Sequence, residues 1–149
     1  MKRKSFEKAV CPIARALDSI GDWWSLLIVR NAFAGQKRFG EFQKSLGMAR
    51  NILAARLRKL VACGILEQAP ASDGTAYLEY ALTKKGRGLF HVLEALRQWG
   101  AESLYSPGEP TKILIERGGR PVRKFELRSE DGRPLEPGDT VLLLAASGS

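Results

Sequence analysis

The sequence predicts an α+β fold, and three observations carry the prediction. Apolar residues recur at three- and four-residue spacing through most of residues 12–103, the period of helices packed on one face. One stretch, residues 65–82, breaks that period and reads as two short strands around an Asp73-Gly74 turn. Beyond Pro107 the helical period stops, and short β-like runs alternate with glycine-containing turns. The 149 residues suffice for one compact core with an appendage, not for two full-sized domains. A composition 44% apolar and 27% charged is that of a globular chain.

The elements follow in order. Cys11-Pro12 opens a first helix with apolar Ile13, Ala16, Leu17 and Ile20, and Gly21-Asp22 ends it; proline suits a first helical position. Residues 23–34 form a strongly apolar helix central to the core, closed by Gly35. Trp23 and Trp24 are expected in that core, because aromatic side chains dominate burial; the alternative is that they line a ligand pocket near a dimer seam. Phe39, Phe42 and Leu46 mark a short third helix. After Gly47 a fourth buries Leu53, Leu57, Leu60 and Val61, turns Arg50, Asn51, Ala54, Ala55 and Arg58 outward, and stops at Gly64. Strands are expected over 65–69 and 77–82. Thr83 suits the cap of a long last helix striped by Leu89, Val92, Leu93, Leu96 and Trp99. Later β-like runs, at 113–115, 122–127 and 141–145, are separated by turns at Gly118-Gly119, Asp131-Gly132 and Pro137-Gly138.

After the first helix, the order helix, helix, helix, hairpin, helix is that of a winged helix-turn-helix, with the hairpin as the wing. Residues 1–106 are expected to form a winged-helix DNA-binding and dimerisation domain, and residues 107–149 a small C-terminal antiparallel β extension. The last helix is too apolar to be left in water. Pairing with its counterpart in a second chain would bury Leu89, Leu93, Leu96 and Trp99, so a homodimer is expected.

Charge locates the contact surface. The formal net charge is +8, and residues 107–149 hold seven bases and seven acids, so the excess lies within residues 1–106. Between Lys37 and Leu66 seven cations face one acid, Glu41. Solvated helices mix signs and gain from i,i+4 pairs; a surface this poor in acids suits a polyanion, and helix-turn-helix geometry makes double-stranded DNA the expected one. Arg50, Asn51 and Arg58 are candidates for base edges, since Arg and Asn can bond guanine and adenine through two atoms at once. Ala54 and Ala55 let the backbone approach and can touch thymine methyls. Lys37, Arg38, Lys44 and Lys59 are candidates for phosphate. Arg56, beside the leucine stripe, fits a structural role as well as a DNA contact.

Other classes find little support. No apolar run reaches the roughly 18 residues that span a bilayer, and the basic N-terminus has no apolar run behind it to make a secretory signal. Two cysteines make no disulfide framework, so a cytoplasmic protein with reduced thiols is expected. One histidine, no glycine-rich phosphate loop and no paired carboxylates leave an enzyme without parts; no cofactor or metal is expected. His91 falls off the apolar stripe and reads as a surface residue. Cys63, at a helix end, reads as a core filler. Cys11 reads either as a small packing residue or as a sensor thiol. The positive end of the helix dipole and the bases Lys2, Arg3, Lys4 and Lys8 favour the thiolate that a small electrophile attacks.

Several segments resemble one family. Cys11-Pro12, Ile20-Gly21, Trp24-Ser25-Leu26-Leu27-Ile28 and Arg38-Phe39-Gly40-Glu41-Phe42 are similar to the HxlR-type branch of winged-helix regulators, relatives of the MarR group. So are Leu53, Arg56-Leu57, Leu60, Gly64-Ile65-Leu66, Glu79-Tyr80, Leu82-Thr83 and Gly86. The resemblance implies a homodimeric bacterial or archaeal transcription factor reading a pseudo-palindromic operator. It implies that the first and last helices form the seam, placing Ile13 and Leu17 there, and that the helix around 49–63 enters the major groove. It also implies redox or electrophile control through the cysteine at Cys11-Pro12. Two departures stand out: Ala49 occupies the position where the family often has a capping Ser or Thr, and the wing tip, Ala71 to Thr75, has no Lys or Arg. Wing contacts are therefore expected to be weak or confined to phosphate. The alternative reading is a winged-helix protein-interaction module whose β extension recognises a protein or small-molecule partner.

Overall fold

The computed structural model describes residues 3–146. Its elements are α1 (Pro12–Ile20), α2 (Ser25–Phe33), α3 (Phe39–Leu46), α4 (Arg50–Ala62), β1 (Leu66–Pro70), β2 (Leu78–Leu82), α5 (Lys84–Arg87) and α6 (Phe90–Ser103). A 3₁₀ turn follows at Pro137–Asp139. This is the expected α+β winged helix-turn-helix order. The chain divides into two compact units, Met1–Glu94 and Ala95–Ser149.

The first unit is built around ten buried apolar residues: Ile20, Ile28, Val29, Phe42, Met48, Leu53, Leu57, Leu60, Ile65 and Leu66. Leu53, Leu57 and Leu60 lie at four- and three-residue spacing, so one face of α4 supplies a continuous stripe. Each such side chain contributes about 1.5–3 kcal/mol on burial. One buried polar side chain ties two helices together. Buried Asn31 of α2 donates through Nδ2 to Ser45 Oγ at 2.8 Å, and Ser45 donates to Gln36 at 2.9 Å, which ties α2 to α3.

Trp24 packs against this core as expected, but Trp23 does not. Its side chain is 87% exposed. It sits in the loop before α2, where Asp22 turns the chain, and so falls outside the helical period that buries its neighbours.

The hairpin pairs β1 and β2 antiparallel, Leu66 opposite Leu82 and Gln68 opposite Tyr80. The amide of Tyr80 donates to Lys37 O at 2.7 Å, joining the approach to α3 to the wing. Thr83 caps the following helix as expected, accepting from the Gly86 amide at 3.0 Å. Gly86 is required there: a Cβ would meet Ile65 O at 2.1 Å. The expected long last helix is broken after one turn. Leu89 N bonds Gly86 O, three residues back, and α6 begins at Phe90. Two glycines within three residues explain the interruption, since glycine costs about 1 kcal/mol in a helix.

In the second unit the expected β appendage shrinks to two isolated antiparallel bridges, Ile115–Pro121 and Arg128–Pro134. The turns fall where expected, with Gly119 N bonded to Glu116 O and Gly132 N to Ser129 O. Each bridge ends on a proline, which has no N–H to extend a ladder. The 122–127 run is held instead by a helix side chain. Gln98 accepts from Phe125 N at 2.6 Å and donates to Arg123 O at 3.2 Å, while Lys124 pairs with Glu102 at 2.8 Å. Val141 to Leu144, expected to pack, are exposed.

Candidate nucleic-acid interface

The turn between α3 and α4 depends on Gly47, whose φ of 64° lies in the left-handed region. It brings α4 out with Ala49 at the N-cap and no side-chain cap bond. No acid stands in the first turn of α4. Arg50 and Asn51 are therefore exposed at the positive end of a helix whose first amides are open, a setting that favours an anion. The Arg50 guanidinium lies over the Phe39 ring, 5.1 Å from its centroid. This contact holds the side chain against α3.

Of the remaining candidates, Lys37, Lys44 and Arg58 are exposed, and Ala54, Ala55 and Lys59 are half-buried. Ile52, exposed between Asn51 and buried Leu53, joins this face. It escaped sequence reasoning because an isoleucine beside a leucine stripe reads as core.

Glu41, the one acid of the motif, is turned to a structural task. Its carboxylate accepts from Lys37 N at 2.7 Å and Arg38 N at 3.2 Å, closing the start of α3. Those two amides, outweighing slight burial and aided by the nearby cations, lower its pKa below the ordinary value. Arg56 is also structural. Its Nε lies 3.1 Å from Asp22 Oδ1, and Asp22 accepts from Trp24 N and Ser25 N at 3.0 Å each and from Ser25 Oγ. Burial raises the Asp22 pKa, but the Ser25 hydroxyl, the two amides and Arg56 outweigh it, and the net shift is downward.

Arg38 is held by the wing. It pairs with Asp73 at the wing tip, stands 3.9 Å from Glu79 and lies 5.6 Å from the centroid of the Tyr77 ring. Among the described residues this leaves Lys37, Lys44, Arg50, Arg58 and Lys59 outside any ion pair. An open groove of about 800 Å³ runs between α3, the start of α4 and the wing, lined by Arg38, Phe39, Gln43, Arg50, Tyr77 and Tyr80 among others.

Cys11 is exposed and is the N-cap residue of α1, with no side-chain cap bond. The basic arm is partly turned to other partners: Arg3 reaches Leu17 O at 3.4 Å and Lys4 lies over the Phe6 ring at 5.7 Å. Lys2 lies outside the described residues. Cys63 is half-buried against the core and His91 is exposed. Of the residues expected in a seam, Ile13 and Leu17 on α1 are 71% and 53% exposed, and Leu96 and Trp99 on α6 are 48% and 60% exposed. Leu89 and Leu93 pack against the first unit's own core. Among the described residues no helix is long and apolar enough to cross a membrane.

The family profile described as HxlR-like helix-turn-helix matches residues 19–107, which contain this surface in full. The chain belongs to that family. It is 44% identical over 102 residues to Rv3095 of Mycobacterium tuberculosis, described as an uncharacterized HTH-type transcriptional regulator. That match covers 68% of this chain and 65% of the relative, so the chain spans just under two thirds of it. A crystal structure of PA1607, described as a proposed transcription factor, is 53% identical with a TM-score of 0.90, covering 94% of this chain and 99% of that one. The oxidized form of the redox regulator HypR is 31% identical with a TM-score of 0.56, covering 64% of this HxlR-like chain and all of that one.

Proposed function

We propose that the chain is a transcriptional regulator that binds double-stranded DNA as a homodimer and reads a pseudo-palindromic operator through α4. One observation carries the reading. Five cations of the α3–α4 surface are unpaired among the described residues while its only acid is spent on a helix cap. An unpaired cationic face on a helix-turn-helix is suited to phosphate, with Arg50, Asn51 and Arg58 placed for base edges and Ala54 and Ala55 small enough to allow approach. Lys37, Lys44 and Lys59 serve the backbone. The uncovered apolar faces of α1 and α6 support pairing with a second copy. Repression asks only that the bound dimer occupy its site, and the reading takes the protein as a repressor in the cytoplasm. Control by modification of Cys11 is supported by its exposure at a helix start and by the likeness to HypR.

A second reading, a protein-interaction module, is favoured by the exposed Val141 to Leu144 and by a wing without cations. Titration on random duplex DNA at two salt concentrations separates them. DNA reading requires affinity to fall with a log–log slope of about −0.9 per phosphate contact. Binding that is absent, or indifferent to salt, favours the second.

A further inference from the structure

The wing of this chain is anionic. Between Leu66 and Thr83 it carries Glu67, Asp73 and Glu79 and no Lys or Arg. The cation that meets it, Arg38, comes from the start of α3 and pairs with Asp73 at the tip and stands near Glu79. Asp73 does not depend on Arg38 for its place. Its carboxylate also accepts from Thr75 N at 3.1 Å and Thr75 Oγ1 at 2.8 Å, a local turn that fixes it at the tip. Glu79 is anchored too, accepting from Ser72 N and Ser72 Oγ. Two fixed acids thus hold the guanidinium of one long side chain, on the rim of the groove that Arg50 also lines.

From this we infer that Asp73 is a positioning residue that sets DNA selectivity by holding Arg38 on the wing and off the phosphate backbone. The inference rests on the DNA-binding reading. A phosphate contact adds the same affinity to every sequence, so an idle cation raises non-specific binding without improving the choice of operator. With Arg38 held by Asp73, the wing adds no sequence-independent attraction, and discrimination is left to α4. An exposed ion pair is weak by itself; here the acid is fixed on its own turn, and the guanidinium also lies by the Tyr77 ring.

The test compares parent, Asp73→Asn, Arg38→Gln and the double variant on random duplex and on an operator selected from a random pool, each at two salt concentrations. Asn keeps the turn to Thr75 and removes the charge, and Asp73→Ser, which can close the same turn, repeats the test should Asn fail to fold. Asp73→Asn should bind random duplex about three- to tenfold more tightly, with a salt slope steeper by about 0.9. The ratio of operator to random affinity should fall by the same factor, and the gain should vanish in the Arg38→Gln background. An unchanged slope in Asp73→Asn overturns the inference. So does an equal gain with Arg38 already removed, which would make Asp73 a simple repulsive charge. Parent protein that shows no salt-dependent binding at all defeats the DNA reading itself, an outcome distinct from either.

Discussion

Asp22 does more for this fold than its place in a Gly-Asp turn announces. One carboxylate meets the first amides of α2, the Ser25 hydroxyl and the Arg56 guanidinium of α4. It thereby links α2, which buries Ile28 and Val29 in the core, to the helix proposed to meet DNA. Asp22→Ala should cost about 0.5–2 kcal/mol, the range for losing a helix cap, read as a lower urea midpoint. Asp22→Asn gives the pH signature. The folded carboxyl lies below its ordinary 3.8, so its stabilisation is fully present above that value and is lost as pH falls through the folded value. The gap between parent and Asp22→Asn should therefore be constant near neutrality and narrow below about pH 4; a gap that widens in acid would contradict the assignment. Residues whose role is periodic, such as Leu53, Leu57 and Leu60, were legible because helical spacing alone puts them on one face. A structural role for Arg56 was among the readings its place beside the stripe allows, but its partner and that of Arg38 were not legible, because they lie far off in sequence and are chosen by the fold. Trp23 differs from Trp24 for a related reason: two adjacent tryptophans look alike in sequence, but only Trp24, the N-cap residue of α2, packs on the core.

At the scale of elements, punctuation was more legible than length. Gly35, Gly47, Gly64 and Thr83 each mark a boundary that the structure places where their chemistry requires it. The last helix starts later than the Thr83 cap suggests, because Gly86 and Gly88 interrupt the chain ahead of the apolar stripe that begins at Leu89. The β extension was read too regular, because Pro121 and Pro134 stop each bridge from growing into a ladder. The apolar stripe of α6 also divides by task. Leu93 packs on the first unit's core, whereas Leu96 and Trp99 stay exposed. Leu96→Asp should accordingly leave the helical signal intact and shift the protein from dimer toward monomer in sedimentation, since the seam would have to bury an unpaired charge. An unchanged dimer would place the seam elsewhere.

For the whole molecule, the proposed function asks that two α4 helices be held at the spacing of successive half-sites, about one helical turn of DNA. Cys11 begins α1, a helix whose exposed apolar face is proposed for the seam. Modifying its sulfur would alter the separation of the reading helices and weaken operator binding. Diamide or quinone treatment should lower operator affinity in the parent and in Cys63→Ser but not in Cys11→Ser; an equal response in Cys11→Ser would end thiol control at this position. The central claim is that α4 reads DNA. Its most direct test is operator binding by the parent, Arg50→Ala and Arg58→Ala, with a library varied one base pair at a time. Each substitution should cost about 1–3 kcal/mol of operator affinity and relax the preference at one base pair, with the melting temperature unchanged. Parental affinity and parental sequence preference in both variants would contradict the account.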